Sequence, residues 1–181
     1  MTLADSITIT RIILAPIIFF LFILGNQTLR IVALVLFVIG ALSDFCDGYI
    51  ARRTKLSEFG KLWDPIADKI LTGLALLALS VIKALPWWIT VSLIARDVMV
   101  TITRIVVVRK RGVIITPLLA AKLKTTFEMI MIIGLLFLAV VLESRFPPIS
   151  FAIINAYGAL VVFLSWVTGA KYIIMALTGK K

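Results

Sequence analysis

Apolar residues run along this chain in six long blocks separated by short polar or turn-forming stretches. The blocks cover about Ile7–Leu24, Leu29–Ala51, a third running on through Leu71 to Val81, then Trp87–Val108, Leu118–Leu142 and Ile149–Leu177. Blocks of this length read as helices rather than strands, and roughly 20 apolar residues are what a helix needs to cross a bilayer. Pro16 in the first block is compatible with a kinked membrane helix. The punctuation is Gly25-Asn26-Gln27, a basic linker Arg52–Lys61, Lys83–Pro86, the basic loop Arg109–Gly112 with Pro117 beyond it, and Glu143–Pro148. Pro65 marks a helix start or a kink. No internal repeat or low-complexity linker divides the chain. The expectation is an all-α integral membrane protein, residues 1–181 forming a single domain of six transmembrane helices.

Composition strengthens this reading. The chain has 181 residues and is 62% hydrophobic, against about 45–50% apolar in soluble domains. Its formal charge of +10 would suggest nucleic acid in a soluble chain. Here it reflects positive loops and anionic lipid headgroups, so no nucleic acid partner is expected. Arg52–Lys61, Arg109–Arg111 and Lys180-Lys181 fall on one side, while the opposite loops hold only Arg30, Lys83 and Arg145. The positive-inside rule therefore places both termini on the cytoplasmic side of a cell (inner) membrane. Trp87 and Trp88 suit an aromatic belt at the opposite interface. The opening residues lack a basic region and a small-residue cleavage site, which predicts a retained first helix rather than a signal peptide. A single Cys46 excludes an internal disulfide. The absence of His removes the commonest general base, His-paired nucleophiles and His-bound zinc.

The stretch Ser43–Lys69 departs most from the apolar pattern. It holds Asp44, Asp47, Asp64 and Asp68, four of nine acidic residues. On helices Asp44 and Asp47 are i, i+3 neighbours and Asp64 and Asp68 are i, i+4 neighbours, so each pair shares a face. Carboxylates at the edge of a lipid-buried helix cost roughly 2.5–3.5 kcal/mol each. Two adjacent pairs repel unless a cation lies between them. Hard oxygen donors without His or thiolate suit Mg²⁺, Mn²⁺ or Ca²⁺, and Mg²⁺ commonly works beside substrate phosphates. Helix-end carboxylates paired with Arg52, Arg53 and Lys69 are the bland alternative. The paired spacing, framed by Gly48 and Gly60, favours the cation site.

The pattern D-x-x-D-G-x-x-A-R followed by G-x-x-x-D-x-x-x-D is met by Asp44, Asp47, Gly48, Ala51, Arg52, Gly60, Asp64 and Asp68. It resembles the signature of the CDP-alcohol phosphotransferases, membrane enzymes of phospholipid synthesis. Seven residues, Arg53–Phe59, separate Arg52 from Gly60, where that family usually has eight, which shortens the turn between the halves. The resemblance implies that Asp44, Asp47 and Asp64 bind divalent cations, Mg²⁺ or Mn²⁺ and two in number, together with the pyrophosphate of CDP-diacylglycerol. It implies that Asp68 is a further ligand or the base that deprotonates the attacking hydroxyl. Gly48, Ala51 and Gly60 then admit the nucleotide close to the backbone, with Arg52 and Ser57 beside them. A homodimer is also implied.

A second polar group interrupts the fourth and fifth blocks. Arg96, Asp97 and Arg104 lie in an otherwise apolar helix, Arg96 and Arg104 two turns apart on one face, and Lys122 and Lys124 open the next. One reading is an Arg96–Asp97 structural pair with Lys122 and Lys124 snorkelling to the surface. The other is a site for an anionic acceptor. The segments A-R-D-V-M-V-T-I-T-R and K-L-K-T are similar to stretches in the branch of the family that takes glycerol-3-phosphate as acceptor, although Ala121 replaces a glycine there. That similarity implies that Arg96, Arg104, Lys122 and Lys124 hold the acceptor phosphate. Thr8, Thr10 and Arg11 are either nucleotide contacts or a plain helix start, and Glu128 and Lys171 read as structural pairs.

The expected activity is transfer of a phosphatidyl group from CDP-diacylglycerol to glycerol-3-phosphate with release of CMP, the active site facing the cytoplasm. The alternatives are the same transfer to inositol phosphate, serine or another alcohol, and a cation-coupled transporter. The acidic cluster near one membrane face and the lack of an inverted repeat weigh against transport.

Overall fold

A computed structural model describes the backbone of residues 3–50, 58–111, 119–142 and 148–178, and the side chains of 9–43, 66–103, 106, 124–142, 151–170 and 173–174. All regular structure among the described residues is helical: α1 Leu3–Leu24, α2 Gln27–Ile50, α3 Glu58–Val81, α4 Trp87–Arg111, α5 Leu119–Val141 and α6 Pro148–Thr178.

The helix ends follow from local chemistry. Between α1 and α2 the Asn26 side chain accepts a hydrogen bond from the Leu29 amide at 3.1 Å, the contact of an N-cap residue. Arg30 Nε donates to the Phe22 carbonyl at 3.2 Å, placing a cation where the last carbonyls of α1 need a donor and the helix dipole is negative. At the end of α3 the Ala84 amide donates to the Leu79 carbonyl at 2.8 Å and the Lys83 amide to the Ser80 carbonyl at 3.0 Å. That bond pair is a Schellman motif, and Lys83 occupies its left-handed position with φ of 61°.

One boundary differs from the sequence expectation. The stretch Arg52–Lys61 reads as a linker, yet α3 already begins at Glu58, seven residues before Pro65. Ser followed by an acidic residue is a helix-start pattern, and Ser57-Glu58 carries it. The basic residues nearby masked that signal. At its far end α4 runs to Arg111, into the expected basic loop.

The chain divides into two compact units. In the first, comprising residues 1–84 and 132–145, α1 packs against both α2 and α3. Its buried apolar residues are large on all three helices (Ile18, Phe22, Phe37, Leu71, Leu76, Leu79), with alanines among them, three on α3 (Ala67, Ala75, Ala78), which let helix backbones approach closely. Apart from Val81, no described large apolar residue of α3 is exposed, whereas α1 and α2 present Ile13, Ile17, Phe20, Ile31, Val35 and Ile39 outward. In the second unit, residues 85–131 and 146–181, α4 packs on α6. Trp166 Nε1 donates to Ser92 Oγ at 3.0 Å, and Trp88 Nε1 donates to Asn155 Oδ1 at 3.1 Å.

Apolar stripes face outward while ionised groups are buried, the arrangement of helices solvated by lipid. Among the described residues two stretches are long and apolar enough to cross a membrane, Lys124–Val141 and Phe151–Ala170, and Ile9–Leu24 and Gln27–Ser43 are shorter apolar helices. The structure thus gives the six expected helices, and the span test is met by two of them.

Lys83 gives the first prediction. A side chain in the left-handed region costs about 1–2 kcal/mol, partly offset in a glycine variant by the freer unfolded chain. Lys83→Gly is expected to gain about 0.5–1 kcal/mol, raising the thermal midpoint in detergent by a few degrees. Lys83→Val is expected to lower it, because a branched residue is a genuine outlier at positive φ. A glycine variant no more stable than the parent would refute this account of the turn.

Candidate functional site

The carboxylate-bearing helices are registered by one contact. A Cβ built on Gly40 of α2 would stand 3.3 Å from Leu71 Cδ2 of α3, so these positions lie at one level. Ile50, the end of α2, lies about 15 Å along the axis from Gly40, and Glu58, the start of α3, about 20 Å from Leu71. If the helices ran parallel those ends would be about 35 Å apart, beyond the reach of the intervening chain, which stretches to less than about 30 Å. A parallel run is therefore excluded.

That register arranges the four aspartates. Asp44 and Asp47 follow Gly40 by four and seven residues, and Asp68 and Asp64 precede Leu71 by three and seven. All four backbone positions lie on the helix faces that carry the Gly40–Leu71 contact. Asp44 and Asp68 fall roughly 5 Å beyond that contact, and Asp47 and Asp64 roughly 10 Å beyond it. The two halves of the sequence pattern thus lie on the segments of α2 and α3 that lead from this contact toward the chain joining the helices.

Asp68 is the one of the four whose side chain is described. It is 19% exposed, and Lys69 Nζ stands 3.6 Å from its Oδ2, too far for a hydrogen bond. Thr72, a turn further on, donates its hydroxyl to the Asp68 carbonyl at 3.0 Å. The side chains of Asp44, Asp47 and Asp64 lie outside the described residues, as does any contact made through Gly48 on α2 or Gly60 on α3. Ala51, Arg52 and Ser57 lie outside the described residues altogether. As a donor set, four carboxylates without His or thiolate suit a hard divalent cation, and Asp68, 19% exposed, is held by Lys69 only through a long ion pair.

The second constellation lies within the second unit. Arg96 NH1 donates to Asp97 Oδ1 at 2.7 Å, and Lys124 Nζ donates to the same oxygen at 3.0 Å. Lys124 also donates to Glu128 Oε2, one helical turn along α5. Arg96 further reaches α6, its Nε donating to the Ser165 carbonyl at 2.9 Å and its NH2 to Thr168 Oγ1 at 3.2 Å. Two cations and two carboxylates form a neutral tetrad buried across α4, α5 and α6.

Of the four cations expected to hold an acceptor phosphate, the structure brings Arg96 and Lys124 together on one carboxylate oxygen. Arg104 lies on α4 and Lys122 on α5, with side chains outside the described residues. The snorkelling alternative for Lys124 is excluded: its residue is 1% exposed. Glu128 belongs to this group as a structural partner, 2% exposed. Sequence reasoning missed Ser165 and Thr168, and gave Gly169 no role beyond packing. A Cβ at Gly169 would stand 3.0 Å from Arg96 Nε, so the bare backbone there is what lets the guanidinium lie against α6. The run S-x-x-T-G in an apolar helix was the available signal.

Helices alone, an apolar exterior and buried charge define an all-α, membrane-associated protein. The profile of the CDP-alcohol phosphatidyltransferase family matches residues 1–170, and the chain belongs to that family. A probable phosphatidylglycerophosphate synthase of Mycobacterium tuberculosis is 36% identical over 179 residues, covering 97% of this chain and 81% of that protein. The CDP-diacylglycerol–glycerol-3-phosphate 3-phosphatidyltransferase of Bacillus subtilis is 30% identical over 183 residues, covering 94% and 92%. The Rickettsia typhi protein of that name is 47% identical over 72 residues, 39% of this chain and 40% of that one.

The tetrad makes a stability prediction. Lys124→Met leaves Glu128 buried without its cation and is expected to cost about 3–5 kcal/mol. Adding Glu128→Leu removes the stranded charge, so the double variant should recover most of the loss. Thermal midpoints of the three proteins in detergent test this, and a double variant as unstable as Lys124→Met would contradict the pairing.

Proposed function

We propose that this protein transfers the phosphatidyl group of CDP-diacylglycerol to glycerol-3-phosphate, releasing CMP and forming phosphatidylglycerol phosphate. The four-aspartate pattern, carried on the end of α2 and the start of α3, which meet at Gly40 and Leu71, supports this reading. The names of the full-length relatives support the acceptor.

In this reading Asp44, Asp47, Asp64 and Asp68 hold two divalent cations, Mg²⁺ or Mn²⁺, at the α2–α3 end. The chemistry those ions supply when bound is neutralisation of charge on the donor pyrophosphate. Asp68, partly buried beside Lys69, accepts the proton of the attacking hydroxyl as that oxygen closes on the lipid-side phosphorus. Gly48, Ala51 and Gly60 leave room for the nucleotide against the backbone, and Arg52 and Ser57 hydrogen-bond to it. Arg104 and Lys122 meet the acceptor phosphate together with Lys124 and Arg96, whose positions are set by the tetrad. Positioning and electrostatic stabilisation are what phosphoryl transfer asks of a protein. All six helices cross the cell membrane with the active site facing the cytoplasm, residues 1–181 act as a single catalytic domain, and the enzyme is a homodimer, as the resemblance in the sequence implies.

The test is CMP release from CDP-diacylglycerol in detergent micelles, scanning acceptors with and without Mg²⁺. Release is expected with glycerol-3-phosphate and divalent cation together, and abolished by a chelator. Asp68→Asn, monodisperse and folded, should lose at least about 100-fold in kcat if it removes the general base. Release with serine or an inositol phosphate in place of glycerol-3-phosphate would overturn the acceptor assignment. Full turnover by the Asp68 variant would remove Asp68 from the mechanism.

A further inference from the structure

Lys124 and Glu128 form a pair that charge balance does not require. Among the described residues Asp97 is already paired with Arg96 at 2.7 Å, so removing Lys124 and Glu128 together would leave the described charges balanced. Their burial is costly, because two ions leave water and are repaid only in part by their mutual attraction. Glu128 adds to the cost: its Oε1 is buried with no hydrogen-bond partner. Apolar side chains of the same volume would serve stability as well or better. What the pair adds is direction. The Lys124 ammonium donates to Asp97 Oδ1 at 3.0 Å and to Glu128 Oε2, and a tetrahedral ammonium with two N–H bonds fixed has its third fixed as well.

We propose that Glu128 is a positioning residue for the acceptor: together with Asp97 it holds Lys124 so that the ammonium's remaining N–H is presented to the phosphate of the acceptor alcohol. This rests on the acceptor reading above. It assigns Glu128 no contact with substrate. Glu128 acts through Lys124, and its removal loosens the ammonium without removing its charge or its bond to Asp97.

The experiment measures KM for glycerol-3-phosphate, KM for CDP-diacylglycerol and kcat for the wild-type enzyme, Glu128→Leu, Glu128→Asp and Glu128→Gln, with thermal midpoints alongside. Glu128→Leu is expected to raise the acceptor KM about 10-fold, with kcat and the CDP-diacylglycerol KM within about threefold of wild type. Glu128→Gln, which keeps an oxygen for Lys124, should recover most of that loss. Glu128→Asp keeps the charge but draws the carboxylate back along α5, and should raise the acceptor KM severalfold. It also decides the matter if the leucine variant does not fold.

An acceptor KM unchanged in Glu128→Asp or in folded Glu128→Leu overturns the proposal. So does a uniform fall in kcat with both KM values raised and a lowered midpoint, the pattern of a purely structural pair. A wild-type enzyme without glycerol-3-phosphate-dependent release overturns the functional reading and this proposal with it. A normal wild type with an indifferent Glu128 overturns the proposal alone.

Discussion

A charge buried among apolar helices must meet its opposite, and much of what is particular about α4, α5 and α6 follows from that constraint. Arg96 and Asp97 are adjacent in sequence on a helix with an apolar exterior, and neither reaches solvent. Their 2.7 Å contact leaves further guanidinium donors to satisfy, and α6 supplies the Ser165 carbonyl and the Thr168 hydroxyl. The absent side chain at Gly169 follows from the same demand, since any Cβ there would crowd Arg96 Nε. Lys124 and Glu128 extend the pairing to α5. The ion pairs do for these helices what apolar packing does elsewhere, and they fix orientation where Leu against Leu would not.

The first unit handles charge differently. Its interior is mostly apolar residues of α1, α2 and α3, with Arg11 buried among them, and four of its acidic residues lie where α2 ends and α3 begins. The close approach at Gly40 and Leu71 joins the two helices that carry them. Asp68 keeps partial exposure and its ion pair with Lys69 is long, at 3.6 Å, whereas the tetrad is buried.

The sequence made the helices legible because long apolar blocks allow little else, and the four aspartates were legible because paired helical spacing is rare in so apolar a setting. The start of α3 was misread: Ser57-Glu58 was overshadowed by the surrounding cations, so composition was allowed to outweigh a capping pattern. Lys124 was open between snorkelling and binding because a sequence does not say which neighbouring helix supplies a carboxylate. Asp97 is 27 residues away, and that pairing is a tertiary fact. The partner of Ser165 and Thr168 was hidden for the same reason, Arg96 being more than 65 residues away, although the run S-x-x-T-G marked the place. Lys83 illustrates a third kind of limit. The Schellman turn is set by the path from α3 into α4, and a lysine in its left-handed position overrides residue preference.

The two ways of handling charge carry different energetic consequences. Among the described residues the tetrad balances its own charges. The aspartate pattern has no such internal balance in the sequence alone, since four like charges fall within twenty-five residues. On the functional reading proposed above, a divalent cation held there would link ligand binding to local stability. Strain of this kind is what a site retains when it is shaped for a substrate and its ion rather than for the empty protein. The tetrad stands for the opposite choice, in which charge is settled internally and what remains for function is the direction in which a held cation points.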